Sequence, residues 1–127
     1  MGKEKIQIEY MLNMVSPTIL WMHLSTPSGL SEWFSDDVSI NGKRYIFKWA
    51  KYEQEAEQTA IRMNHFIRFR WVDDEDSKYY FEFRIHSDEL TQDTILEITD
   101  FVEPEEKSDT INLWNSQVDA LKRCLGV

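Results

Sequence analysis

The residues of this chain with the most evident chemistry are large aromatic side chains set two positions apart. Phe47 and Trp49, Phe69 and Trp71, and Phe81 and Phe83 form three such pairs. A two-residue step places side chains on one face of a β-strand, so three neighbouring strands would turn six rings to the same side. If that side is concave, it is the wall of a pocket for a flat or apolar molecule, since small-molecule sites are mostly apolar with a few placed polar groups. Trp114, Val118 and Leu121 recur at helical spacing near the C-terminus and would form the facing wall. Gln58, in a strand-like run, and Gln117, beside Val118 at the edge of the helical stripe, are the candidate polar groups that orient a ligand. The competing reading is ordinary packing. Rings between one sheet and one helix can fill the space themselves, and a glutamine is commonly solvated or internally bonded.

Other chemistry is thinly represented. His23, His65 and His86 show no metal-ligand spacing, and the single cysteine, Cys124, cannot complete a site, so no metal is expected. Asp36, Asp37 and Asp100 fall near the rim of the expected cavity and could act in proton transfer, but nothing pairs them with a second group. They read more simply as hairpin and turn carboxylates. No nucleophile elbow, phosphate loop or dinucleotide fingerprint occurs, and no cofactor is expected. The reading leans away from catalysis and names no catalytic residue. Arg68, Arg70, Arg84, Glu82 and Glu97 alternate with the aromatic positions and fall on the outer face. The interleaved glutamates favour cross-strand ion pairing over a basic docking strip.

Composition narrows the classes further. With 127 residues, 23 acidic against 14 basic and a net charge of −9, the chain is ill suited to nucleic acid, which requires clustered Lys and Arg. The same balance disfavours anionic membrane surfaces, and no run approaches the ~18 apolar residues of a span. The N-terminal residues show no apolar signal core. One cysteine excludes an internal disulfide framework and suits a reducing compartment, so a cytoplasmic protein is expected. Cys124 lies off the helical stripe and is expected to be a buried structural thiol. The chain reads as one domain over residues 1–127.

These side chains need elements to hold them. Ile6, Ile8, Tyr10 and Leu12 alternate as a half-buried first strand. Ser16-Pro17 and Thr26-Pro27 each place a capping hydroxyl before a proline at the first helical position, which predicts two short helices. The first carries Leu20, Trp21 and Leu24, the second Leu30, Trp33 and Phe34. Val38 and Ile40 lead to Asn41-Gly42, a tight hairpin turn, and Tyr45, Phe47 and Trp49 return. Tyr52 to Met63 is read as a strand although its Glu/Gln run would also suit a helix. Strands around Ile67–Trp71, Tyr79–Ile85 and Thr94–Ile98 follow, with turns at Asn64-His65 and Asp73–Asp76. Ser108–Leu125 then reads as one long helix, with Ile111, Trp114, Val118, Leu121 and Leu125 on one face. Ser108 or Asp109 would cap its start and Gly126 its end. The expected fold is therefore α+β: a curved antiparallel sheet of about seven strands wrapped on a long C-terminal helix, with two short helices after strand 1. The long helix is expected to be the sheet's only cover and to supply half the core.

This pattern resembles the START-like (helix-grip) superfamily, and within it the group of heat-shock chaperone ATPase activator homologues. The resemblance covers essentially the whole chain. Its most specific part is Ser16-Pro17…Leu20-Trp21…Leu24-Ser25-Thr26-Pro27-Ser28-Gly29-Leu30-Ser31-Glu32-Trp33-Phe34. It continues in Tyr45-Ile46-Phe47-Lys48-Trp49, in Ile67-Arg68-Phe69-Arg70-Trp71, and in Trp114 with Leu121. It implies an enclosed space between sheet and helix, and relatives that bind apolar ligands, cyclise polyketides or contact a chaperone. The chain departs from the group at Asn41-Gly42-Lys43, where a Gly-Gly turn is usual. It departs again in its Glu/Gln-rich next strand, which could place a polar group in the cavity. The expected function is non-catalytic binding of a small apolar or aromatic molecule. The alternative is an interaction module, a homodimer or chaperone-associated, with Trp33, Phe34 or Phe66 on an exposed apolar patch.

Overall fold

Alternating hydrophobicity is realised as one antiparallel sheet in the computed structural model, which describes residues 2–74 and 78–127. The strands are β1 (Glu4–Met11), β2 (Asp37–Asn41), β3 (Arg44–Trp49), β4 (Tyr52–Arg62), β5 (Phe66–Trp71), β6 (Phe81–Ser87) and β7 (Thr94–Val102). Their spatial order is β1-β7-β6-β5-β4-β3-β2, so consecutive strands pair except that β1 joins the far edge beside β7. Helices α1 (Pro17–Ser25) and α2 (Pro27–Leu30) follow β1. A 3-10 turn at Pro104–Glu106 leads into α3 (Lys107–Leu125). This is the helix-grip arrangement expected from the sequence.

The local signals act where chemistry requires them. Ser16 Oγ accepts from the Ile19 amide and Thr26 Oγ1 from the Gly29 amide, satisfying donors that each first turn leaves open. Gly126, at φ 77°, ends α3 in the left-handed region. The Glu/Gln-rich run is strand β4, because pairing with both β3 and β5 overrides its helical propensity. A bulge between Gln58 and Ala60 interrupts that pairing.

Several expectations are corrected. The β2–β3 turn is centred on Gly42 and Lys43, since Asn41 is still paired with Arg44. Gly42 takes the positive φ of 64° that this tight turn requires. Helix α3 has no side-chain cap from Ser108 or Asp109. It starts one residue earlier, directly from the 3-10 turn, whose backbone already bonds Lys107 N–H to the Pro104 carbonyl. Helix α2 is a single turn, and Trp33 and Phe34 lie beyond it, in the turn closed by Phe34 N–H to the Leu30 carbonyl. Of the expected Asp73–Asp76 turn, Glu75 and Asp76 lie outside the described residues.

The long helix is also not the only cover. It contributes Trp114, Val118 and Leu121 to the buried core, whereas α1, α2 and the turn after them contribute Leu20, Trp21, Leu24, Leu30, Trp33 and Phe34. Gly29 permits this. A Cβ there would fall under 3.0 Å from the backbone of Met22 and His23, so only glycine lets α2 fold back on α1 this closely. The corner drives Phe34 inward, where it is 4% exposed. The patch expected from Trp33 and Phe34 does not exist, and Phe66 is half-buried beneath the Arg84 guanidinium, 4.3 Å from its ring centroid.

Candidate functional site

The two-residue period does bring the predicted rings to the inner face, but it does not leave them around one large void. Phe47, Phe69 and Phe83 are fully buried, as are Val118 and Leu121 opposite them. Phe34 is the reason. Its ring packs edge-on to Phe47 at 4.9 Å between centroids and stacks on Trp114 at 5.8 Å. It also meets Trp49, Phe81 and Phe83 within 5.9 Å. Those five predicted residues, Phe47, Phe69, Phe83, Val118 and Leu121, are therefore core. The sequence reading missed this plug because Phe34 follows a helix and belongs to no strand period.

Space remains at one end of the sheet–helix seam. A pocket of about 160 Å³ is lined there by Trp49, Trp71, Phe81, Trp114 and Gln117, all anticipated, and by Gln54, Asp100 and Thr110 among others. An adjoining pocket, also about 160 Å³, shares Trp71, Asp100 and Thr110 and extends to Lys3, Tyr79 and Glu106. Tyr52 and Leu113, both largely exposed, give the first pocket an apolar rim. Tyr52 is held flat on Trp49, with centroids 5.1 Å apart and planes 21° from parallel. Gln58 is half-buried on β4 and is not among the lining residues; Gln54, two turns of the pleat earlier, takes that place. Gln54 shares the strand parity that buries Ala56, a signal that exists only when the Glu/Gln-rich run is a strand.

Asp100 is the one carboxylate lining the aromatic pocket among the described residues. On β7, Thr94, Leu96 and Ile98 are buried, and the same parity carries Asp100 to the inner face. Its Oδ2 accepts from Trp114 Nε1–H at 3.0 Å and its Oδ1 from the Phe101 amide at 2.8 Å. Burial pushes its pKa above the ordinary carboxylate value. The Trp114 and Phe101 hydrogen bonds and the Lys3 charge act in the opposite sense. Lys3 itself is paired with Asp74 at 3.6 Å and lies over the Tyr79 ring. Asp36 and Asp37 are exposed and outside this pocket. Two donors beside the pocket are engaged internally: Trp49 Nε1–H and one hydrogen of the Gln117 amide both donate to the Phe34 carbonyl, at 3.2 and 3.1 Å.

The remaining candidates resolve differently. Glu82 is 4% exposed on the outer face, bound by Arg68 at 2.9 Å and Arg84 at 3.0 Å, so these two arginines are engaged in ion pairs as their spacing suggested, while Arg70 donates to the Asp74 carbonyl at 3.2 Å. His23 sits between the Ile19 carbonyl at Nδ1, 3.0 Å, and Glu32 at Nε2, 2.8 Å. Cys124 is exposed, contrary to expectation, because α3 turns that edge of its last turns to solvent.

Comparison with known proteins follows the same outline. A START-like superfamily domain model matches residues 1–127. No match is found among curated proteins. A solution structure of the Bacteroides fragilis protein BfR322 is similar, with 48% identity and a TM-score of 0.70, covering 98% of this chain and 92% of that one. The Aha1 dimer from Colwellia psychrerythraea is 18% identical with a TM-score of 0.80 and 96% coverage of both chains. Protein MLL2253 from Mesorhizobium loti is 17% identical with a TM-score of 0.76 and 97% coverage of both. At those lower identities the likeness concerns the fold alone. A seven-stranded sheet gripping a C-terminal helix, two short helices after its first strand, and a family match over the whole sequence place this chain in the START-like superfamily.

Proposed function

We propose that the chain, as one START-like domain, binds a small molecule with an aromatic or apolar body at the open end of the sheet–helix seam, without catalysis. START-like domains bind ligands or mediate interactions. The observation that carries the reading is that the space not filled by Phe34 is walled by Trp49, Trp71, Phe81 and Trp114 and rimmed by exposed Tyr52 and Leu113. Apolar cavities of ~150 Å³ accommodate a benzene ring, so a ligand of one ring with a short substituent matches the volume and a lipid does not. The test is a fragment screen by indole NMR. Single-ring compounds should shift the Nε1–H signals of Trp49, Trp71 and Trp114 while leaving Trp21 and Trp33 in place. A screen with no compound shifting those three signals would defeat the proposal.

A second reading has its own observation. Ile19 and Met22, one turn apart on α1, are each about half exposed, and a structural neighbour is described as a dimer. On that reading the chain self-associates or meets a protein partner through α1. Light scattering of wild type and Met22→Asp separates the two: a monomer in both removes the homodimer. Among the described residues, no helix is long and apolar enough to cross a membrane. The free thiol on the surface fits a reducing, cytoplasmic setting.

A further inference from the structure

The chemistry of the aromatic pocket is one-sided, and this deepens the proposed function, on which it rests. Two of its three indole N–H groups and one of the two Gln117 amide hydrogens are committed within the protein. Trp114 Nε1–H is held by Asp100, and Trp49 Nε1–H and the Gln117 amide nitrogen are both held by the Phe34 carbonyl. The second amide hydrogen and the acceptor end of Gln117 and the unused lone pairs of Asp100 remain. A carboxylate offers about four acceptor sites, of which the two observed hydrogen bonds use two. Gln54 and Thr110 can donate or accept and fit either kind of ligand. Trp49, Trp71, Phe81 and Trp114 line the pocket, and the π-systems of such rings attract cations. No lysine or arginine lines this pocket among the described residues; the nearest cation, Lys3, lines the adjoining one and is paired with Asp74. A chain with a net charge of −9 also concentrates cations around itself.

We propose that the ligand is a small organic cation: a protonated amine on a single aromatic ring or short alkyl body. Its ammonium group meets Asp100, and its body lies among Trp49, Trp71 and Trp114. A neutral ring of the same size fills the volume but leaves the carboxylate without a new donor. An anion of the same size meets Asp100 and the ring faces with the wrong sign.

The test uses the full chain at pH 7 and three molecules of matched shape: 2-phenylethylamine, 2-phenylethanol and phenylacetate. Binding is followed through the tryptophan indole signals and titrated to dissociation constants. The amine should bind at least about tenfold more tightly than the alcohol, with the acid weakest, as a charge-assisted hydrogen bond in a partly dry site implies. Asp100→Asn should bring the amine down to the alcohol's affinity, and its amide spectrum shows whether the fold is retained. The wild-type comparison stands without that variant. Equal affinity for amine and alcohol overturns the cation and leaves the pocket in place. Preference for phenylacetate overturns it in favour of Lys3 as the recognition group. If none of the three moves the indoles, the pocket reading falls, and the cation with it.

Discussion

Removing the Phe34 ring would expose how the space beneath α3 is divided. The ring is 4% exposed and contacts Phe47, Trp49, Phe81, Phe83 and Trp114, with centroids 4.9 to 5.9 Å away. Phe34→Ala deletes the plug without touching a backbone hydrogen bond, because the Phe34 carbonyl still serves Trp49 and Gln117. Phe→Ala changes in cores cost about 3–5 kcal/mol, the transfer of the ring plus the cavity that cannot collapse. Here the five contacting rings belong to the sheet, β3 and β6 foremost, and to α3, so collapse is limited and the upper half of that range is expected. Small domains have about 5–15 kcal/mol in total, so the variant should remain folded at low temperature. Urea denaturation gives the loss directly, with an unchanged slope showing that the folded state stays compact. The void opens beside the existing pocket of about 160 Å³, which Phe34 itself lines. Two-ring molecules that do not bind wild type, naphthalene-sized dyes for example, should therefore bind the variant. A loss below about 1 kcal/mol with no new binding would mean that the rings close over the gap, and that Phe34 does not plug a cavity.

Three further outcomes follow from particular residues. Asp100 has its pKa raised mainly by burial, so its proton favours the folded state at acid pH, and that contribution is lost as pH rises through the raised value. Asp100→Asn should accordingly gain stability relative to wild type as pH increases from 4 to 8, and melting-point differences that fall along that series would contradict the burial argument. Gly29→Ala places a Cβ against the backbone of Met22 and His23 and should cost about 1–3 kcal/mol as α1 and α2 part; a neutral result in chemical denaturation would show that the corner is pliable. Cys124 is exposed on α3, so it should react stoichiometrically with a thiol reagent in the absence of denaturant, and a thiol silent until unfolding would place it in the core after all.

Much of the fold was legible because it is periodic. Alternation at Tyr45, Phe47 and Trp49 or at Thr94, Leu96 and Ile98 assigns each side chain to a face through the pleat alone. Ser16-Pro17 and Thr26-Pro27 announce helix starts through hydrogen bonds made within three residues. Glutamates interleaved with Arg68 and Arg84 announce the outer ion pairs, because cross-strand neighbours on one face are close in any register. Those signals are local, and the sequence carries them whole.

The site was legible only in part, and the missing part is non-local. The sequence determined that a face of rings would meet the helix bearing Trp114, and five of the eleven residues anticipated for the site line the pocket: Trp49, Trp71, Phe81, Trp114 and Gln117. It could not determine that Phe34 would occupy the centre. That depends on Gly29 letting one short helix fold on another, and no period records it. Nor could it decide which inward polar group matters. Asp100 is distinguished from other strand carboxylates by an indole 14 residues away, donated from α3 across the seam. Tertiary structure made these decisions because filling a volume and pairing a buried charge depend on what arrives from elsewhere in the chain. Strand parity does not.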